Sequence, residues 1–262
     1  MCGISALLLH PQPRPDWQWI SIHNLFTRNL LSNEERGREA TGCAVLQQDG
    51  QLFTQKIPLP ASVFVTRPEY QDLLANIDEQ TTLVMGHTRQ PTKGDPSFNS
   101  NNHPLHAGSV FGVHNGQINN DEDLFTRFNC PRSAEVDSEI IFRLLETLPA
   151  TPDAIEYLQL TRSVLQLLDG QFTILASDQR FPGRLLVLKH ENPLFAHFLP
   201  EANMLVFTSR FLFLRKTFGV TVNLDALPYD KLMIFDAAAV PSMGIHPLLS
   251  LPFQRTVLSN DQ

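Results

Sequence analysis

A few short stretches of this chain carry residue types that do chemistry. It opens Met1-Cys2-Gly3-Ile4. With Met1 removed, which a small second residue permits, Cys2 holds a thiol and a free α-amine together. An α-amine of ordinary pKa, about 7.7–8.0, accepts the thiol proton near neutrality, so nucleophile and base come in one residue. The competing reading is an inert thiol buried in an apolar strand. Further on stands Val113-His114-Asn115-Gly116. An Asn side-chain amide beside a Gly backbone N–H supplies two donors for the oxyanion of a tetrahedral intermediate. Asn-Gly is equally the strongest two-residue hairpin signal. Gly86-His87-Thr88-Arg89 runs into Gln90-Pro91-Thr92-Lys93-Gly94. An Arg at a strand end holds a carboxylate in bidentate fashion, and a loop hydroxyl with backbone amides completes such an anion site. A surface Arg before a solvated loop fits the same residues. Asp137 either caps a helix or holds an ammonium group, and Arg36-Gly37 reads as a turn.

Four histidines, His87, His103, His106 and His114, stand near Asp95, but no metal-binding spacing joins them, and the expectation is no metal. Phosphate-loop, dinucleotide and Gly-x-Ser-x-Gly patterns are absent, so no cofactor is expected. The three cysteines, Cys2, Cys43 and Cys130, form no disulfide framework. Lys and Arg number 20 against 27 Asp and Glu, a net charge of −7 that argues against a nucleic-acid-binding surface. No apolar run approaches the ~20 residues of a membrane span, and no secretory signal is evident. The reading is a reduced, cytoplasmic, globular protein with no membrane association.

The elements that must position these residues follow from periodicity. Strands are predicted over 2–9, 40–47, 51–56, 82–89 and 109–115, with Asp49-Gly50 as the turn between the second and third. Trp19, Ile22, Phe26 and Leu30 mark a helix capped by Asp16. A helix begins near Asp137, and another spans 152–168. Strands return over 171–176, 184–189, 204–208 and 231–236. The polar loop from 90 to 107 is long for a structureless connection, which points to function. Strands, then helices, then strands again predict stacked layers in one α+β domain.

Taken in order, Met-Cys-Gly-Ile, Arg36-Gly37, Gly42, Gly86-His87-Thr88-Arg89, Asn101-x-His103-Pro104, His114-Asn115-Gly116 and Asp137-Ser138-Glu139 resemble the class II glutamine amidotransferases. Their glutaminase domain is an N-terminal-nucleophile hydrolase, and the pattern is most similar to the glutaminase half of glucosamine-6-phosphate synthase. The resemblance covers residues 2–236 and leaves 237–262 as a tail of unknown role. It implies a four-layer αββα sandwich with two facing, mostly antiparallel sheets. It implies L-glutamine as substrate and Cys2 as the nucleophile forming a γ-glutamyl thioester. Asn115 and Gly116 become the oxyanion hole, and His114, Arg36 and Gly37 become supports. Arg89, with Thr92 and the Lys93 backbone, is similar to the site for the substrate carboxylate, and Asp137 to the group holding its ammonium.

Departures from the family pattern are Gln90 where an aromatic lid is usual, Lys93 where His is usual, and Glu39-Ala40 where Asp-Ser is usual. No acceptor domain follows within the 262 residues, so a separate synthase subunit receiving ammonia is expected. The alternatives are a catalytically silent glutamine sensor and a terminal-cysteine amidohydrolase for another amide.

Overall fold

A computed structural model describes residues 2–219 and 227–256. Met1, on whose removal the nucleophile reading depends, lies outside the described residues. The strands are β1 (Gly3–Leu9), β2 (Ala40–Gln47), β3 (Leu52–Ile57), β4 (Thr81–Arg89), β5 (Leu105–Ala107), β6 (Val110–Ile118), β7 (Gly170–Asp178), β8 (Arg184–His190), β9 (Phe195–Leu199), β10 (Met204–Thr208), β11 (Lys231–Asp236) and β12 (Leu249–Pro252). The helices are α1 (Asp16–Asn33), α2 (Ala61–Phe64), α3 (Pro68–Leu74), α4 (Asp121–Arg127), α5 (Glu139–Glu146), α6 (Ala154–Leu165), α7 (Phe211–Phe218) and α8 (Val240–Met243).

Side-chain alternation explains the layering. Along β1, Ile4, Ala6 and Leu8 face one way and Leu7 and Leu9 the other, and all are buried. A strand buried on both faces must lie inside a multilayer body. The first sheet runs β3-β2-β4-β1-β10-β9 and the second β12-β11-β8-β7-β6-β5. Ladders between these neighbours are antiparallel. Ile4, Met85, Phe111, Val113, Leu205, Phe207 and Phe235 fill the space between the sheets. Ile22, Phe26 and Leu30 of α1, with Tyr70 and Phe213, cover the outer face of the first sheet. Ile141, Leu144, Leu145 and Leu158 of α5 and α6 cover the second. The result is the four-layer αββα sandwich that the resemblance implies.

Several local readings change. Asp16 does not cap α1: Pro15 is the N-cap residue, with no side-chain hydrogen bond. Pro15 presets its φ at −67°, which starts the helix without a side-chain acceptor. The strand expected to stop at Asn115 continues to Ile118, so Asn115-Gly116 is no hairpin turn: the two residues pair with Thr173 and Phe172 inside the β6–β7 ladder. Gly116 has φ +142°, and a Cβ there would lie 1.8 Å from the Gln171 carbonyl, so close strand approach explains the glycine. The 90–107 loop is held in shape by a 3₁₀ turn at Asn99–Asn101 and ends in β5. Beyond Asp236, Val240 is buried between the sheets, β12 pairs with β11, and the Phe253 ring packs edge-on against Phe172.

Candidate active site

Cys2 precedes β1, a central strand flanked by β4 and β10. Its neighbour Gly3 leaves no room for a side chain, since a Cβ would lie 2.5 Å from Thr88 Oγ1 and 2.6 Å from Asn33 Cβ. Behind it, Asn33 Nδ2 shares its two hydrogens among Ser5 Oγ, Asn29 O and Thr208 Oγ1 at 2.9–3.0 Å, and Thr88 Oγ1 donates to Asn33 O at 2.8 Å. Arg36 Nε donates to the Cys2 carbonyl at 2.7 Å. Gly37 lets that segment touch the end of β4, where a Cβ would come within 2.3 Å of the Arg89 backbone. Cys2 is partly exposed as a residue, and its thiol meets both the N–H and the carbonyl of Gln90 at 3.3 Å. Burial pushes the thiol above its ordinary pKa, against the Gln90 amide and the Arg89 and Arg36 charges. A thiol so placed needs an adjacent base to become nucleophilic.

Arg89 ends β4 and is buried. Its Nη1 donates to Asn102 Oδ1 at 2.7 Å, and its Nη2 donates to the Lys93 and Gly94 carbonyls at 2.7 and 2.9 Å. The guanidinium thus builds the loop over Cys2, with Nη2 engaged by two carbonyls. The Lys93 ammonium reaches α4, 2.5 Å from Asp121 and 2.7 Å from Glu122. Arg132 pairs with the same two carboxylates at 3.3 and 2.7 Å. Two cations and two anions therefore tie the loop after Arg89 to the segment that leads into Asp137.

Asp137 is buried and accepts the Ile118 N–H at 2.7 Å through Oδ2. Ser138, not Asp137, is the N-cap residue of α5, so the capping alternative falls away. Ser138 Oγ lies 3.4 Å from Asp137 Oδ1 and 2.7 Å from His114 Nδ1. Asn115 reaches the first sheet through Ser209, its Nδ2 donating to Oγ at 2.9 Å, and Ser209 Oγ also accepts the Ile4 N–H at 3.0 Å. Asn115 Oδ1 is buried without a hydrogen-bond partner among the described residues. A carboxamide turned by 180° fills the same volume; Ser209 would then donate to Oδ1, leaving Nδ2 as the free donor.

Two cavities meet at Cys2, Gln90, Thr92 and Gly116. The inner one, about 20 Å³, is lined further by Arg89, Lys93, His114 and Asp137. The outer one, about 340 Å³, is bordered by carboxamide side chains. The fold therefore brings Cys2, Arg89, Thr92, Lys93, His114, Gly116 and Asp137 to one place. Asn115 lies behind Gly116, and Arg36 and Gly37 lie behind Cys2. Sequence reading missed Ser209, Asn33, Asn102 and Arg132. None of them belongs to a local motif: Ser209 and Asn33 meet partners far along the chain, and Asn102 and Arg132 meet theirs 13 and 10 residues away through loops whose path the sequence does not specify.

The histidines divide. His87 and His103 lie with ring centroids 4.3 Å apart and His114 is 6.5 Å from His103, all buried, whereas His106 is exposed and stacks on Phe111. Among the described residues no three His, Cys, Asp or Glu side chains are grouped to hold a metal ion. His87 Nε2 donates to His114 O at 3.1 Å, while His87 Nδ1, His114 Nε2 and both His103 nitrogens have no hydrogen-bond partner among the described residues. Burial lowers His87 to about 3 and His114 to about 4; it lowers His103 too, helped by its imidazole neighbours.

Comparison with known proteins decides the family. No family model matches the chain. The glutamine–fructose-6-phosphate aminotransferase (isomerizing) of Staphylococcus epidermidis is 30% identical over 202 residues, 74% of this chain and 30% of that protein. The 7-cyano-7-deazaguanine synthase of Saccharolobus solfataricus is 26% identical over 258 residues, covering 94% and 51%. The solved glutamine phosphoribosylpyrophosphate amidotransferase of B. subtilis superposes with a TM-score of 0.70 at 16% identity, covering 97% and 50%. A glutamine aminotransferase class-II domain protein from Silicibacter pomeroyi gives 0.58 at 12% identity, covering 97% and 100%. The chain is a class II glutamine amidotransferase domain. It spans about a third to a half of the curated relatives it matches. No described helix of the amidotransferase domain is long and apolar enough to cross a membrane.

The buried imidazoles of this domain make its stability depend on pH. His87 and His114 titrate in the folded state well below the ordinary value near 6.5. On acidification the unfolded chain takes up protons first, so stability is full above pH 6.5 and falls as pH drops towards 4. Urea denaturation followed by fluorescence should show a midpoint that declines steadily from pH 7 to pH 5, before most carboxylates titrate. A constant midpoint over that range would contradict neutral, buried imidazoles.

Proposed function

We propose that this domain hydrolyses the side-chain amide of L-glutamine at Cys2 and passes the ammonia to a separate synthase chain. The observation carrying the reading is the meeting of the Cys2 thiol, the Arg89-built loop and the Asp137 carboxylate at one cavity. A zwitterionic amino acid needs one cationic and one anionic contact at fixed separation, and Arg89 and Asp137 supply that pair. The Thr92 hydroxyl and the Lys93 backbone complete the carboxylate end.

Removal of Met1 frees the Cys2 α-amine to take the thiol proton, which offsets the burial that holds the thiol protonated. The thiolate adds to the amide carbon of glutamine. The Gly116 N–H and the Asn115 carboxamide, in its turned orientation, stabilise the oxyanion. Collapse breaks the C–N bond, and the α-ammonium returns its proton to the departing ammonia. Water, activated by the same amine, then cleaves the γ-glutamyl thioester and releases glutamate. Arg36, bonded to the Cys2 carbonyl, keeps the nucleophile in line. Supply of ammonia to a synthase agrees with the similarity to a 7-cyano-7-deazaguanine synthase, 51% of whose length is matched.

Intact mass before and after 6-diazo-5-oxo-norleucine tests the nucleophile. The expected result is loss of Met1 and one adduct that disappears in Cys2→Ala; processed chain without an adduct would shift the reading to a glutamine sensor. Arg89→Ala should weaken glutamine binding by at least roughly tenfold, the scale of a lost charge-assisted contact, and an unchanged affinity by calorimetry would remove Arg89 from the pocket.

The ion network predicts a separation of kinetic constants. Lys93→Met frees the loop without touching Cys2, so KM for glutamine should rise several-fold while kcat changes less, and Lys93→Arg should restore KM. Since Glu122 is largely exposed, salt should raise the wild-type KM and leave that of Lys93→Met nearly flat. Equal salt dependence in both would refute the latch.

A further inference from the structure

The outer cavity at Cys2 is larger than ammonia or water requires. Its volume, about 340 Å³, falls in the range of small-molecule sites, roughly 300–1,000 Å³. Five carboxamides, Gln90, Gln117, Asn119, Gln171 and Asn192, line it, and apart from Cys2 no described lining residue is ionisable. Asn192 is buried and anchored through Nδ2 to the Asn115 carbonyl at 3.2 Å, and Asn119 Nδ2 lies 3.3 Å from Asp169. The lining is thus partly braced.

Such a lining selects by chemistry. Each carboxamide offers both donor and acceptor, which matches the edge of another amide. A charged ligand would find no counter-charge among the described lining residues. The two cavities share Cys2 and Gly116, so a molecule in the outer one lies against the carbonyl of an acyl group on the thiol. On the glutaminase reading the inner cavity holds the amino-acid end of glutamine, which leaves the outer side for departing ammonia, and by microscopic reversibility an amine nitrogen can attack from the place ammonia leaves.

Building on the glutaminase reading, we propose that the outer cavity binds a small, uncharged primary amine bearing an amide edge, and that the domain transfers the γ-glutamyl group to it. The neutral amine nitrogen attacks the thioester carbonyl carbon, the C–N bond forms and the C–S bond breaks. Sulfur leaves as thiolate and recovers the surplus amine proton through the Cys2 α-amine, giving a γ-glutamyl amide and free thiol. Amino-acid amides fit this class, because an α-amine of pKa about 7.7–8.0 is substantially neutral at pH 8.

Glycinamide is the probe, with processed enzyme, glutamine at pH 8 and mass-spectrometric quantitation of glutamate and γ-glutamylglycinamide. The expected result is product that saturates with glycinamide while glutamate falls in proportion. Gln117→Leu and Gln171→Leu, two exposed side chains outside the hydrolytic machinery, should together raise the half-saturating glycinamide concentration by roughly tenfold while hydrolysis without glycinamide stays unchanged. Glutamate release with no γ-glutamylglycinamide, or product that rises linearly and equally in the double variant, overturns the acceptor site alone. Absence of glutamate and of any product overturns the glutaminase reading with it.

Discussion

Position at the tip of β1 governs the rest of this site. A strand's first residues lack the ladder on one side, and after Met1 is lost Cys2 would have a single covalent tether. Buried polar contacts take over that work. Asn33 bridges Ser5, Thr208 and its own helix, Ser209 receives the Ile4 N–H, and Arg36 holds the Cys2 carbonyl. Each neutral bond contributes only about 1 kcal/mol net, but a buried polar group left unpaired costs about 1–3 kcal/mol, so the set resists partial loosening. Gly3 is the steric half of the same constraint, for any Cβ would drive Thr88 and Asn33 apart.

From that tip the geometry of the loop follows. β4 pairs with β1 in the register Gly3↔Thr88, which delivers Arg89 and Gln90 beside the thiol. Arg89 then folds the loop onto itself through carbonyls, and Lys93 ties it outward to Asp121 and Glu122. Arg132 neutralises the same carboxylates from the segment entering Asp137. Isolated exposed pairs contribute little, but here two cations share two anions, one of them buried, and a network holds geometry better than its pairs. The distance between the cationic and anionic ends of the inner cavity is therefore set by contacts outside it.

Much of this was legible in the sequence, for identifiable reasons. Apolar runs bounded by turn signals predicted β2, β10 and β11 with their observed bounds, because strands buried on both faces read as near-continuous apolar stretches. The ordered motifs located Cys2, Arg89, Gly116 and Asp137, which converge. Local signals misled where tertiary pairing prevailed: Asn115-Gly116 carries a turn signal, yet ladder partners on β7 draw it straight. Asp16 has capping chemistry, yet Pro15 occupies the cap position. Ser209 and Asn33 were illegible, since a single polar residue does not announce a partner far along the chain, and Arg132 meets Asp121 and Glu122 only because the segment after α4 turns back on it.

The inward-facing positions run Leu83, Met85, His87 on β4, Phe111, Val113, Asn115 on β6 and Leu205, Phe207 on β10 followed by Ser209. Leu185, Val187, Lys189 on β8 does the same, and Lys189 is fully buried with its ammonium on the Leu227 carbonyl at 2.6 Å. Every series turns from apolar to polar at one end. Strand register puts these ends together: Ile4 pairs with His87 and its carbonyl accepts the Ser209 N–H, Asn115 pairs with Thr173, and Thr173 with Lys189. Buried polar groups weaken a core, so their segregation leaves the apolar half to stabilise the sandwich and the polar half to hold Cys2. An interior mixed evenly would do neither, because scattered polar groups would lack partners and the thiol would have no polar cavity to face.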